Sequence, residues 1–275
     1  MKKLLSLVLA VLMLTGCVLA FASCGPKGTL KVGYTVYAPM NFWDANGDLK
    51  PDADGEGEFV GFDTELAKLV AAKLGMEIEF VEIQWENKYT DLNTGVIDCI
   101  WNGFTSNSKD SDGIERSEKV DFSYAYLDNA QCVVVKAENL SQYTSAASLA
   151  GKTAAAEGGS AGESYAQSVT TNVVPAEVQM DTFLEVLSGA VQFAVVDRLL
   201  ADSIVGEGDY AALAIVDAIE IEKEVYSIGC KKGGDLDEKI NAALIELLNE
   251  GEIERLATKY NVRVTDSLMA MKTAD

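Results

Sequence analysis

The clearest chemical signal in this sequence is a glycine-rich loop, Gly158-Gly159-Ser160-Ala161-Gly162, placed after a short apolar run and before a helical stretch. Backbone N–H groups at a helix start point outward with partial positive charge, so such a loop can hold an anion. A plain turn is the alternative. No G-x-G-x-x-G pattern and no lysine of a phosphate loop accompanies it, which disfavours nucleotides. One such nest neutralises about one charge, so a carboxylate suits it better than a polyphosphate. A second candidate is the acidic run Asp52-Ala53-Asp54-Gly55-Glu56-Gly57, followed by Asp63, which has the spacing of a calcium loop. Its last position is Asp rather than a bidentate Glu, and no helix signal enters it, so a solvated hairpin tip is the better account. Histidine is absent, which excludes Ser-His-Asp and Cys-His nucleophiles and imidazole-ligated metals. No metal site and no cofactor is expected.

These residues need a scaffold, and the hydrophobic periodicity describes one. Thr29–Tyr34 reads as a strand, with Tyr37-Ala38-Pro39-Met40-Asn41-Phe42 directly after it, where ligands bind in parallel sheets. Asp63 reads as the N-cap of a helix running through Leu74, with Leu66, Leu69, Val70 and Leu74 on one face and Gly75 as its stop. A strand over 76–83, a helix over 86–93 ended by Gly95 and a strand over 96–101 continue the β-α-β rhythm of a largely parallel sheet. Strands are expected again over 132–135, 153–156, 191–196 and 225–230, with helices over 181–188 and 235–260 and a frayed tail after Val262. The rhythm breaks near 127–131 and 220–224, which suggests one lobe inserted into another with two crossover strands as a hinge.

The remaining features bound the setting. Met1-Lys2-Lys3 followed by an apolar run has the charge and length of a secretory signal. Cys17 and Cys24 each follow a small residue, as lipidated cysteines do. Cys24 is preferred, because the polar linker Gly25-Pro26-Lys27-Gly28 follows it, and Cys17 is the alternative. With 22 basic against 43 acidic residues the net charge is −21, and loss of Lys2 and Lys3 with the signal makes it −23. Such a surface does not bind nucleic acid. Cys99, Cys132 and Cys230 remain and read as buried small hydrophobes; a Cys132–Cys230 bridge has no positive support.

Taken in order, several pieces resemble the polar amino-acid-binding family of bacterial ABC-transporter solute-binding lipoproteins, which have the type 2 periplasmic-binding fold. They are Leu30–Tyr34, Tyr37–Pro39, Val60–Asp63, Leu92–Asp98, Asn102–Thr105, Glu115-Arg116 leading to Val120–Ser123, Leu149–Lys152, Glu157–Ser160 and Ala194–Asp197. The resemblance implies two α/β lobes, each a mostly parallel sheet flanked by helices, joined by two crossover strands. Residues 1–24 would be the signal ending at the lipidated cysteine and 25–28 a linker. Residues 29–128 and 224–262 would form one lobe, 129–223 the other, and 263–275 a tail. It further implies a free amino acid as ligand, an ABC permease and its ATPase as partners, a lipid anchor at the outer face of the cytoplasmic membrane, and a monomer.

The resemblance also implies a site. Arg116 would take the ligand α-carboxylate in a bidentate fork, with backbone N–H groups near Gly159, Ser160 and Ala161 binding it from the other lobe. Asp197, the Gly103 carbonyl and the Thr105 hydroxyl would accept from the α-ammonium. Tyr37 and Trp85 would sandwich the side chain, with Asn102, Phe104 and Glu157 nearby; Glu157, Asn102 and Trp101 favour a polar or cationic side chain. Three departures bear on this: a longer loop over 106–113 before Arg116, Tyr124-Ala125 where an acid-proline pair is common, and Ala161 where a threonine is frequent. The rival is an enzyme of the same fold, a cyclohexadienyl or arogenate-type dehydratase, for which Glu157 would be the general acid. A binding protein without catalytic residues is the preferred expectation.

Overall fold

The structure, a computed structural model, describes residues 28–51, 55–110 and 112–273. The signal sequence, Cys17 and Cys24 lie outside these residues, as do Asp52 and Asp54 of the calcium-like run. The chain forms β1 (Thr29–Tyr34), β2 (Phe42–Asp44), β3 (Glu58–Val60), helix α1 (Phe62–Leu74), β4 (Glu77–Glu82), α2 (Lys88–Thr94), β5 (Cys99–Ile100), α3 (Arg116–Lys119) and β6 (Asp121–Phe122). After the long β7 (Leu127–Lys136) come β8 (Thr153–Glu157), α4 (Ala161–Val169), β9 (Asn172–Ala176), α5 (Gln179–Ser188), β10 (Phe193–Asp197), α6 (Arg198–Ile204) and β11 (Leu213–Ile215). β12 (Lys223–Tyr226), β13 (Gly229–Cys230), α7 (Leu236–Asn249), α8 (Glu252–Tyr260) and α9 (Asp266–Met269) complete it.

Two sheets organise two α/β lobes. The first has the order β4-β1-β5-β13-β6, the second β11-β7-β10-β8-β9. In each, β-α-β units make parallel pairs, β1 with β4 and β5 in one, β8 with β9 and β10 in the other. Antiparallel strands are then added at the side where the chain crosses: β13 in the first sheet, β7 in the second. β7 leaves the first lobe and β12 returns to it, and the two pair antiparallel from Leu127↔Tyr226 to Ala130↔Lys223. Helix α1 stops at Gly75 in the left-handed conformation, as its glycine predicts, and α2 stops likewise at Gly95.

Three local expectations change. Gly61, not Asp63, occupies the α1 cap; Asp63 is fully buried in the first turn, and its Oδ2 accepts the Gly103 N–H at 2.8 Å. That inward aim also removes it from any calcium loop. Burial pushes its carboxyl up to about 6. The last strand is split into β12 and β13, because Ser227 turns aside to bond Ser106. The segment after Val262 is pinned rather than frayed: Val264 bridges Leu127, the Thr265 N–H donates to Tyr126 O, and Thr265 Oγ1 caps α9. All three described cysteines are buried free thiols; Cys99 faces Cys230 across β5 and β13, while Cys132 lies in the other sheet.

Leu268, fully buried at the end of that pinned segment, tests its place in the core. Leu268→Ala is expected to cost about 2–5 kcal/mol of unfolding free energy in urea titration. A frayed tail would show no change.

Candidate functional site

Where the two sheets face each other, their strand ends and following loops line a narrow space. The first lobe contributes Trp85, Asn102, Gly103, Thr105 and Arg116; the second contributes Gln131, Glu157, Ser160, Ala161, Gln179 and Asp197. Gln131 and Ala161 also face a wider opening lined by Asn107, Lys109, Tyr165 and Lys223.

Arg116 is 1% exposed and held by its own lobe. Its Nε donates to Asp110 Oδ1 at 2.9 Å, one terminal nitrogen to the Thr105 carbonyl at 3.1 Å, and the guanidinium lies 5.2 Å over the Phe104 ring. The other terminal nitrogen reaches the Gly159 carbonyl of the second lobe at 3.4 Å. A guanidinium has five N–H donors; these contacts use three of them and leave two for a ligand. The lengthened loop before Arg116 is what supplies Asp110. Its hairpin closes by the Lys109↔Glu115 bridge and turns that carboxylate onto Nε. Burial pushes the Asp110 carboxyl up, but Arg116 and Lys119 more than reverse this and hold it below the usual carboxylate range.

Facing Arg116 is the start of α4. Ser160 caps the helix by accepting the Glu163 N–H at 3.0 Å, while the Ser160 N–H is spent on Glu157 O. The Ala161 and Gly162 N–H groups, in the first turn, have no intrahelical acceptor. Ala161 therefore brings a backbone donor, and no side-chain donor, to the space.

The opposite wall is acidic. Asp197 ends β10, but its carboxylate does not cap α6. Oδ1 accepts from Asn129 at 2.6 Å and Gln131 at 2.8 Å, and Oδ2 accepts from Gln179. Glu224, on the returning strand β12, accepts from Gln131 at 2.9 Å and from the Thr105 hydroxyl at 3.1 Å. Two carboxylates thus share one set of amide donors; burial raises both, and the Asp197 charge raises Glu224 further. The Gly103 carbonyl, beside them, accepts no hydrogen bond from a described residue. Gly103 itself has φ +59°, and a Cβ there would come within 2.6 Å of the Tyr37 ring, so only glycine fits.

Glu157 is 3% exposed and forms no ion pair with a described residue. Its carboxyl accepts from the Thr35 hydroxyl at 3.4 Å, and that hydroxyl lies nearer Asn102 Oδ1, at 2.7 Å. Burial, then the Asp197 charge, pushes the Glu157 carboxyl up to about 8. A protonated Glu157 donating to the Thr35 oxygen satisfies both groups.

Nine of the twelve residues expected at the site line this space; Tyr37, Phe104 and Gly159 do not. The Tyr37 hydroxyl turns to Tyr226 at 2.7 Å, and its ring backs Gly103 instead of facing Trp85. Phe104 lies beneath Arg116 and edge-on to Trp85, and Gly159 presents its carbonyl, φ +71°, to Arg116 and Lys88. Asn102 borders the space, but its two donors go to Thr35 O and Asn41 Oδ1 and its oxygen accepts twice from Thr35. Its amide is consumed in shaping the loop after β1. Gln131 and Gln179, which line the space, and Glu224 and Asp110, which hold lining residues, were not legible as site residues, because their isolated positions carry no motif. No group of three or more His, Cys, Asp or Glu among the described residues is arranged to hold a metal, and no helix among them is long and apolar enough to cross a membrane.

The profile of the bacterial extracellular solute-binding proteins, family 3, matches residues 30–263. The arginine-binding extracellular protein ArtP of Bacillus subtilis is 27% identical over 256 residues, covering 91% of this chain and 96% of that one. An ancestral arginine-binding protein solved with arginine is 31% identical with a TM-score of 0.73, covering 86% and 99%. An ancestral amino-acid-binding protein described as a precursor of cyclohexadienyl dehydratase is 28% identical with a TM-score of 0.71, covering 85% and 96%.

Asp110→Ala would strand the buried guanidinium. It is expected to lose about 3–5 kcal/mol of ligand-free stability in urea. Because the folded carboxyl is held low, its contribution is present at neutral pH and lost as pH falls through the folded value. The variant's stability should accordingly change less on the acid side.

Proposed function

This chain belongs to the bacterial extracellular solute-binding proteins, family 3, and from that premise we propose that it captures a free amino acid for an ABC importer. The observation that carries the reading is the polarity of the space between the lobes. Unspent donors of Arg116 and the Ala161 N–H lie at this space, and so do the Asp197 carboxylate and the Gly103 carbonyl, with Glu224 bonded to the lining residues Gln131 and Thr105. That is complementary to an α-carboxylate and an α-ammonium. The ligand contacts both lobes only when they are closed, and this difference in contact is what drives closure. An affinity near 1 μM, about −8 kcal/mol, is ordinary for such capture.

Glu157 sets the ligand side chain. It is a buried carboxylate without a counter-ion, next to the indole of Trp85, and a cationic side chain would supply the missing charge. We therefore favour a basic amino acid such as arginine, for which ArtP and the ancestral arginine-binding protein are named. An ABC permease and its ATPase are the proposed partners of a monomer. Cys24 is the proposed lipid anchor at the outer face of the membrane, with Cys17 as alternative, and residues 29–128 with 224–262, and 129–223, are the proposed lobes.

The enzyme alternative rests on the same group, since Glu157 protonated at neutral pH could act as a general acid. Its test is release of an aromatic acid from a cyclohexadienyl substrate. Transport predicts no turnover.

A thermal-shift screen of the twenty amino acids, ornithine and cystine should give its largest shift with a basic ligand. At 100 times Kd the stabilisation is about 2.7 kcal/mol. Arg116→Ala and Asp197→Ala should abolish the shift. Calorimetry of arginine binding at pH 7, in buffers of different ionisation enthalpy, should show proton release as Glu157 ionises. Glu157→Gln should remove about one proton of it and weaken arginine more than glutamine. Equal effects on the two ligands would remove Glu157 from specificity.

A further inference from the structure

Lys88 is a charged residue that the binding site does not use, yet it is only 1% exposed. It starts α2 in the first lobe, one turn after Trp85, and its stem passes between two rings. Nζ lies 5.0 Å from the Trp85 ring centre and 4.8 Å from that of Tyr89. Two carbonyls receive the ammonium. One is the Trp85 carbonyl of its own lobe, at 3.2 Å; the other is the Gly159 carbonyl of the opposite lobe, at 2.9 Å. It forms no ion pair with a described residue. Lys88 does not line the ligand space, being behind Trp85 and beneath the glycine-rich loop. A Cβ on Gly159 would sit 3.2 Å from Nζ and 3.2 Å from the Glu86 backbone, so the loop approaches this closely only because residue 159 is glycine.

We infer that Lys88 is a positioning residue for closure: its ammonium captures the Gly159 carbonyl only when the lobes meet, and so tightens ligand binding without touching the ligand. The inference rests on the amino-acid-capturing reading above. With the lobes apart, the same ammonium keeps the Trp85 carbonyl and regains water. With the lobes together, burial and the nearby Arg116 charge lower its affinity for its proton, down to about 7, and Asp110 and Glu157 oppose this. The Gly159 carbonyl is what compensates the lost water. It also accepts from Arg116, so the carbonyl that Lys88 fixes is the one against which the carboxylate-binding guanidinium is seated. The glycine-rich loop is thereby locked in register with Arg116 across the cleft.

Lys88→Met keeps the stem between the two rings and removes the donor. L-arginine is the probe. Stopped-flow tryptophan fluorescence of the full mature chain should give an off-rate raised roughly tenfold, the scale of one charge-assisted hydrogen bond, with the on-rate little changed. Small-angle scattering at one fixed L-arginine concentration should show a more open ensemble than wild type. The melting temperature without ligand should stay within about 2 °C, since the donor is spent only in the closed form. Wild-type off-rate and scattering in the variant would overturn the inference. A fall in ligand-free stability that accounts for the lost affinity would also overturn it, making Lys88 a packing residue. If L-arginine moves neither protein, the ligand assignment fails, and the scattering of the two ligand-free forms decides the role of Lys88. If the methionine variant does not fold, Lys88→Gln replaces it and should show a smaller rise in off-rate.

Discussion

A guanidinium that is almost entirely withdrawn from water must find acceptors for its donors, and Arg116 organises the molecule around that requirement. Asp110 neutralises it, the Thr105 carbonyl takes a second donor, and the Phe104 ring lies against its face. Each partner then has its own demand. Asp110 needs the hairpin over 106–115; Thr105 needs the Gly103 turn, which exists because Asp63 holds the Gly103 N–H and the Tyr37 ring leaves room for no side chain there. The buried carboxylate of Asp63, in turn, sits where the entry of α1 puts it. One charge thus explains why several polar residues of the first lobe are buried at all.

The opposite sign gathers where the second lobe meets the returning strand β12. Asp197 and Glu224 are brought together because β10 and β12 both pair antiparallel with β7, β10 ending opposite Gln131 and β12 beginning opposite Ala130. Two carboxylates so close repel, and the side-chain amides of Asn129 and Gln131 are placed to donate to both. Amide donors stabilise negative charge without cancelling it, so the wall stays electronegative where a neutralising lysine or arginine would extinguish it. An ammonium entering beside these groups finds acceptors already oriented, which reduces the reorganisation that binding requires.

Much of this was legible beforehand, and the pattern of what was not has physical causes. Periodicity located β1, α1 and β8, because burial on one face imposes spacing on the residues themselves. Arg116, Asp197 and the loop at 157–161 were found because short motifs surround them. Asp63 was misread as a cap because an acid before a helical run means the same thing locally whether it caps its own helix or reaches across to Gly103. Tyr37 carried the right residue type but points its hydroxyl at Tyr226, a partner 189 positions away. Lys88, Gln131, Gln179 and Glu224 matter through pairs that close only in three dimensions. An isolated lysine or glutamine in a helix or strand has the same local signature on any solvated surface.

The distribution of polar contacts also bears on how the lobes can separate. Arg116 makes its two shorter bonds within its own lobe and only the 3.4 Å contact across the cleft; Glu157 likewise reaches Thr35 at 3.4 Å. Asn129, Gln131 and Asp197 are bonded among themselves within the second lobe and its crossover strands. Most buried charge is therefore satisfied inside one lobe or the other, and opening exposes little that lacks a partner. Beyond these and the bond from Lys88 to the Gly159 carbonyl the cross-cleft bonds are few, and a ligand that completes the donors of Arg116 and the acceptors around Asp197 adds contacts that only the closed form offers. A cleft built this way has a shallow preference of its own and leaves the choice between open and closed to the solute.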